Sequence, residues 1–380
     1  MIVTNKQPIS IDNDPWEAYR DIEQHGHLAL SNVEFTTTNL CNMRCSHCAV
    51  GYTLQTQDPD PLPMSLIKQR LDEIPTLRTI SITGGEPMFS KKSIREVVKP
   101  LLQYAKQRGI YVQMNSNLTL PLDRYLDIAE YIDVMHISHN WGTLDTFTEV
   151  GFGAMDKKPP LQARVRLFEQ MLKNAQTLSE QGMFVSAETM LNQQTVPHLE
   201  KIHKEVVETM KCQRHEIHPM YPADFASQLE VLSLGEMKEA MHHLLDIRDP
   251  NVWMLFGTLP IFPCLQDEHD AALRERLLNA PNVSLRNDPD GRSRLNVNVF
   301  TGNVIVTDFG DETGTLANIQ HDKLTTVFDK WLDSSLSQSI NCHCPHFKCL
   351  GPNLLVKNMY YPNADFRALE KDMHRKYNQS

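Results

Sequence analysis

Cys41, Cys45 and Cys48 stand in a Cx3Cx2C spacing, close enough in sequence to turn three thiolates toward one inorganic object. Three thiolates suit a soft metal centre. A four-iron cluster held by only three protein thiolates keeps one iron open for a further ligand. An open position separates a catalytic metal from a structural one. The competing readings are a zinc knuckle and three buried free cysteines. Zinc wants a fourth ligand, and His47 sits inside the loop at the wrong spacing for a Cys3His site. The chemistry favours an iron–sulfur site.

A second pattern follows one strand–helix unit later, where the β-branched run 79–83 ends in Gly84-Gly85-Glu86-Pro87. Two glycines at a strand end let a ligand or another backbone approach with no Cβ in the way. Alone, the run would read as an ordinary turn. Its place after a three-cysteine loop gives it weight.

Alternating elements must position both motifs. Strands are expected at 33–38, 79–83, 110–115, 134–138, 184–190 and 216–220. Helices are expected at 65–74, 93–108 with a kink at Pro100, 122–131, 161–181 and 196–211. Six such units argue for a parallel sheet with right-handed crossovers, an α/β fold. A closed eight-unit barrel would need more units, so a partial TIM-like barrel is expected. Sites on such sheets lie at the carboxyl ends of the strands. That places Asn115, Asn117, Ser138, Thr189 and Asn192 as candidate contacts, each equally able to serve as a cap or turn former. A short helix at 15–24, with Asp14 as N-cap, should lie against the outside. The stretch 143–160, with Trp141, Phe147 and Phe152 in or beside it, is expected to be a lid.

The periodicity changes past Tyr221. A helix at 235–247 precedes Cys264, a hairpin joins 295–299 to 304–307, and a helix at 324–336 leads to Cys342, Cys344 and Cys349. These four cysteines could close a second cluster or a structural zinc site, and the chemistry alone leaves the two even. His343 or His346 could replace a cysteine, and Cys212 stands isolated.

The 380 residues allow one large domain plus an appendage. Divisions are expected at 1–30 (extension), 31–230 (partial barrel) and 231–380 (auxiliary α+β region). Lys plus Arg is 37 against 47 Asp plus Glu, a net charge of −10, which argues against nucleic acid as partner. No long apolar run and no signal-like start occur, so a soluble, cytoplasmic protein that does not enter a membrane is expected. In a reducing cytosol, clustered cysteines are better read as metal ligands than as disulfides.

Cys41, Cys45 and Cys48 in this spacing, with Gly84–Pro87 following, resemble the signature of the radical S-adenosylmethionine (SAM) superfamily. The resemblance implies a (β/α)6 partial barrel and a 4Fe–4S cluster whose open iron SAM chelates. It also implies reductive SAM cleavage to a 5′-deoxyadenosyl radical that takes hydrogen from a peptide, protein or small-metabolite substrate. Gly84, Gly85, Glu86 and Pro87 would bind the methionyl amino group, and Ser138 the ribose. Thr189 and Asn192 resemble a pattern of the peptide-modifying branch. Cys264, the hairpin and the terminal cysteines resemble a SPASM/twitch appendage, which implies an auxiliary 4Fe–4S cluster on Cys264, Cys342, Cys344 and Cys349. The CxCx4C spacing is similar to that of the YfkAB-type radical SAM family. Asp308 aligns with a general base of sulfatase maturation, and the electron donor implied is a flavodoxin or ferredoxin. Two other readings are a nucleotide cyclase of the molybdopterin-synthesis type and a non-catalytic iron–sulfur or zinc redox sensor. The chain lacks the Gly- and Arg-rich tail of the first, and a sensor has no need of Gly84–Pro87.

Overall fold

The structure, a computed structural model, describes residues 6–265, 267–307 and 314–377. Asp308 lies outside the described residues.

Along the chain, the strands are β1 (Asn32–Thr36), β2 (Thr79–Thr83), β3 (Tyr111–Ser116), β4 (Val134–Ser138), β5 (Val185–Leu191) and β6 (Arg214–Pro219). β7 (Trp253–Gly257), β8 (Val283–Arg286), β9 (Arg294–Asn298), β10 (Asn303–Ile305) and β11 (Ala317–Asn318) follow. They form one sheet in the order β11-β10-β9-β1-β2-β3-β4-β5-β6-β7-β8. Every pairing from β9 through β1 to β8 is parallel, and β10 and β11 add antiparallel at the β9 edge. The six expected strands are all present. Two further parallel strands, β7 and β8, extend the sheet beyond Tyr221, and the hairpin strand β9 pairs directly with β1. No pairing joins β8 to β9 among the described residues, so the sheet curls without closing.

Side chains on a strand alternate between faces, and the sequence uses that period of two. Val33, Phe35, Ile80, Ile82, Val112, Met114, Met135 and Ile137 face the helices and join the main apolar core. The intervening Glu34, Thr36, Thr83, Gln113, Asn115 and His136 line the concave side. TIM-like interiors are commonly filled by branched apolar side chains. Here the interior is polar and holds a cavity of about 890 Å3.

Local chemistry sets where several helices begin and bend. The first runs Tyr19–His25, later than expected, because Asp14 accepts from Trp16 N (3.0 Å) and Glu17 from Tyr19 N (2.8 Å) in preceding turns. Ahead of Pro100 the second crossover, between β2 and β3, widens to a π-turn at Ile94–Val98. Proline lacks the N–H an α-helix needs there, and the wider turn relieves its clash with the preceding carbonyls. The expected 324–336 helix divides into Leu324–Leu332 and Ser335–Ile340, the second capped by Ser334 accepting from Ser337 N.

The stretch expected to be a lid is packed structure. Thr143 and Thr146 form a capping box that starts the helix Leu144–Val150. Trp141, Phe147 and Phe152 are buried and stack edge-on in series. Three aromatic side chains bury too much apolar area to be left in a mobile loop.

The amino-terminal residues dock on the sheet. Trp16 Nε1 donates to Ser81 Oγ (3.2 Å), Asp14 pairs with Arg286 (3.2 Å), and Glu17 accepts from Asn287 N and Nδ2 (3.1 and 3.0 Å). Burial raises the Glu17 carboxyl to about 7, against the N–H donors of Tyr19 and Asn287, which lower it. Between about pH 4.5 and 7 the native state keeps a proton that the unfolded chain has lost. Stability therefore falls as pH rises through that window, by up to about 3 kcal/mol. Glu17→Gln should flatten that decline, which thermal unfolding at pH 5 and pH 8 will measure.

Candidate functional site

The cysteine loop leaves the carboxyl end of β1 and is zipped to the turn after β2. Gly85 N donates to Thr38 O (2.8 Å) and Glu86 N to Leu40 O (2.7 Å). The approach is closer than a side chain allows. A Cβ on Gly85 would lie 2.2 Å from Leu40 O and 3.1 Å from Cys41 N, and one on Gly84 would lie 2.4 Å from Thr38 O. Gly84 also holds φ at +138°, open only to glycine. The Gly85 amide is thus consumed by the loop. No hydrogen bond among the described residues ends on the Gly84 or Gly85 carbonyl oxygens.

Glu86 is fully buried and works as a strut. Its carboxylate accepts from Ser116 Oγ (2.9 Å), Asn117 N (2.8 Å) and Met88 N (3.3 Å), tying the end of β2 to the end of β3. Burial raises it to about 7 in spite of these donors. Asn117 extends the tie: its Nδ2 donates to Asn42 Oδ1 (3.0 Å) and lies 3.8 Å from Cys41 Sγ.

The three thiols are free, half-buried and near one another. Burial is the main cause that pushes each one's ionisation up: Cys41 rises to about 12 and Cys45 well above the usual range. Cys41 and Cys48 raise Cys45 further, and the Arg44 guanidinium pulls all three down. The loop is also braced from behind by the packed stretch after β4. Arg44 N donates to Gly151 O, Ser46 N to Val150 O and Ala154 N to Arg44 O (3.1, 2.9 and 3.0 Å). His47 packs on Trp141, and burial lowers it to about 4, a neutral ring. Nothing in the sequence reading assigned that brace. The signal was the aromatic residues themselves, whose area needs a core.

The remaining SAM-contact candidates separate. Gly84 and Asn115 line the cavity, beside Thr36, Thr83 and Val50. Ser138 ends β4 half-buried and is not among the cavity-lining residues. Pro87 is buried in its turn. Thr189 and Asn192 lie away from the cavity. Thr189 Oγ1 donates to His139 O and accepts from the His215 ring (both 3.0 Å). Asn192 Oδ1 caps a turn, accepting from Gln194 N (2.8 Å) and Thr195 N (3.0 Å). Both are buried structural nodes, and neither lines the cavity.

The cavity's other wall runs from β5 and β6 to the segment between β8 and β9. Glu216 is buried against Arg214 (3.0 Å), Arg286 and His218 (2.7 Å). Arg294 reaches Glu34 (3.1 Å) and Asp290, and Glu188 meets His136 Nε2 (2.7 Å). Gly257 makes room for the His218 ring, which a Cβ there would strike at 2.1 Å.

The remaining clustered cysteines lie at the far end of the chain. Cys344 and Cys349 form an antiparallel bridge (N···O 2.9 and 3.2 Å) around the turn Pro345–Phe347, with Lys348 left-handed. Cys342 N reaches Leu350 O (3.3 Å). Cys264 joins Cys342 and Cys349 in one apolar cluster with Phe262, Val356 and Phe366. Burial raises Cys264 to about 12 and Cys344 to about 11, and neighbouring thiols of the group push each further up. Gly351, at φ +84°, fits because a Cβ would lie 2.8 Å from Cys342 Sγ. Cys212 is buried alone in the core. Among the described residues no three His, Cys, Asp or Glu donors converge on one metal-ion position, and each thiolate of a four-iron cluster would bind a different iron.

Residues 35–206 match the model of the radical SAM superfamily, and residues 220–371 match the YfkB-like domain. The chain is 61% identical over 363 residues to YfkA of Bacillus subtilis (strain 168), covering 96% of this chain and 97% of that one. Its fold is similar to Streptococcus suis SuiB bound to S-adenosylmethionine (TM-score 0.59, 15% identity, 90% of this chain and 78% of that one). It is similar also to anSMEcpe with bound AdoMet and Cp18Cys peptide (TM-score 0.57, 13% identity, 91% and 95%). No helix among the described residues is long and apolar enough to cross a membrane. By sequence and by fold, the chain belongs to the YfkAB-type family of radical SAM enzymes, whose chemistry rests on SAM and a 4Fe–4S cluster.

Proposed function

We propose that this chain cleaves SAM reductively and uses the resulting radical to take hydrogen from a peptide, protein or small metabolite held in the sheet's concave cavity. The observation that carries the reading is the interlock of the three-thiol loop with Gly84-Gly85 at the mouth of a polar cavity. Cys41, Cys45 and Cys48 hold the cluster. When bound, it supplies the electron that splits SAM into methionine and a 5′-deoxyadenosyl radical.

The chain's own residues do the rest. Arg44 offsets the negative charge of the thiolates. The Gly84 and Gly85 carbonyls, on which no hydrogen bond ends among the described residues, accept the methionyl amino group. Glu86 and Asn117 keep the ends of β2 and β3 in register with Cys41, and Asn115 and Ser138 contact the nucleoside. Residues 31–230 form the radical SAM unit, and 231–380 the twitch-like unit, in which Cys264, Cys342, Cys344 and Cys349 ligate a second 4Fe–4S cluster. Full ligation by these four residues would leave no open iron, so the group would serve electron transfer or hold the fold together and would not bind substrate. The reading makes the protein a cytoplasmic oxidoreductase served by a flavodoxin or ferredoxin. Fold similarity to anSMEcpe with Cp18Cys peptide supports a peptide among the candidate substrates.

Anaerobically reconstituted protein should bind about eight irons, with about four lost when Cys41, Cys45 and Cys48 are changed to Ala. Cys264→Ala should lower iron content and leave 5′-deoxyadenosine formation in place. Tightly bound zinc at the terminal cysteines would overturn the second cluster. Gly85→Ala should weaken SAM binding by at least about tenfold, about 1.4 kcal/mol, since its Cβ must displace the Leu40–Cys41 backbone. Unchanged SAM affinity in that variant would remove the pocket from this place.

A further inference from the structure

The cavity wall is rich in carboxylates, and most of its cationic side chains are already committed. Glu34, Glu188, Glu216, Asp224, Asp288 and Asp290 line it, against the guanidiniums of Arg286 and Arg294. Arg286 is engaged by Glu216 and Asp14, and Arg294 by Asp290 and Glu34. Asp288 meets only neutral donors, Asn353 Nδ2 (2.7 Å) and Asp290 N (2.9 Å). Among the described residues it forms no close ion pair, and it acts on the Arg292 and Arg294 guanidiniums only from a greater distance. Glu188 keeps about a quarter of its side chain exposed, with His136 as its close partner.

These carboxylates share one neighbourhood. The Tyr221 hydroxyl is pushed up first by burial, then by Asp288, with Asp290 and Glu188 adding to it. A second observation is independent of charge. Gln113 and Asn296 line the same cavity and are 94% and 98% buried, and among the described residues Gln113 Oε1 and Asn296 Oδ1, like His136 Nδ1, have no hydrogen-bond partner. A buried acceptor left unmade costs about 1–3 kcal/mol. Both amide oxygens are acceptors, as are the carboxylates, so the complement they require is an N–H donor.

We infer that the substrate carries a primary ammonium or guanidinium group, seated against Asp288 and Glu188 beside Tyr221, and that anionic substrates are turned away. This rests on the cavity being the substrate site of the proposed radical chemistry. A cation there gains from poorly screened carboxylates, and a phosphate or carboxylate would meet the same field with the opposite sign.

The test uses the reconstituted holoenzyme with SAM, titrated calorimetrically with agmatine, which bears both cationic groups, and with glutarate, a dianion of similar length. Agmatine should bind in a salt-sensitive way and glutarate should not. Asp288→Asn should weaken agmatine about tenfold. Glu188→Gln, a second variant on a different strand, should do the same. Equal binding of the two probes, absence of agmatine binding, or wild-type affinity in both variants would overturn the inference. Formation of 5′-deoxyadenosine by the same preparation is scored separately. Its failure would count against the radical reading and leave the charge preference intact.

Discussion

Charge burial inside an open sheet is the constraint on which this structure turns. β8 and β9 do not pair, so the segment between them must hold the curl by side chains. Arg286 reaches Glu216 and Asp14, Asn287 reaches Glu17, and Arg294 reaches Glu34 and Asp290. Arg292, almost fully buried, donates to Leu350 O (3.2 Å) and Pro352 O behind the terminal cysteines. A buried guanidinium stripped of its acceptors leaves an uncompensated charge costing several kcal/mol. Each arginine therefore fixes its partners as firmly as they fix it. The amino-terminal docking, the cavity wall and the cysteine hairpin are all tied to one short stretch.

That stretch explains why the cavity can be polar. An interior packed with branched side chains would hold a barrel by its own burial. Here apolar packing is confined to the helix-facing side of the strands, and the concave side is left to Glu, His, Gln and Asn. The stability of such a sheet must come from its outer layer and from paired charges at its seam. The interior is then free to serve a ligand.

The sequence made some of this legible. The thiol loop, the glycine pair and six of the eight parallel strands up to β8 follow from spacing, from β-branched runs and from a period of two. Membership of the radical SAM superfamily was readable from the same two motifs. β7 and β8 were hidden because Trp253–Gly257 is apolar on both faces and Val283–Arg286 is too short to show alternation. The seam was hidden for another reason. Arg-Asn-Asp-Pro-Asp-Gly-Arg-Ser-Arg at 286–294 reads as a charged turn, and partners such as Glu34 and Glu216 lie far away in sequence. At Thr189 and Asn192 the sequence is ambiguous, because a polar residue at a strand end serves a ligand and a turn equally well, and both make hydrogen bonds within the fold. The 143–160 stretch misled because its length and its aromatic residues suggested a lid, whereas Phe147 and Phe152 pack into the core.

The seam also bears on how the two cysteine groups relate. Asn287 Nδ2 donates to Lys348 O (3.0 Å), and its Oδ1 accepts from Leu350 N (3.1 Å). Asp288 accepts from Asn353 Nδ2. Thus the residues flanking Cys349 are held by the same segment that presents Asp288, Asp290 and Arg294 to the cavity. One of these hydrogen bonds is exposed and two are part-buried, and together they join the terminal turn to the segment after β8. The terminal thiols and the cavity wall are therefore linked through one segment, and the first loop joins it through β1, which pairs with β9. A substrate lodged against Asp288 would stand at a set place relative to both thiol groups. Proximity of that kind is what a radical step needs, since a misplaced hydrogen forfeits the advantage of an intramolecular reaction.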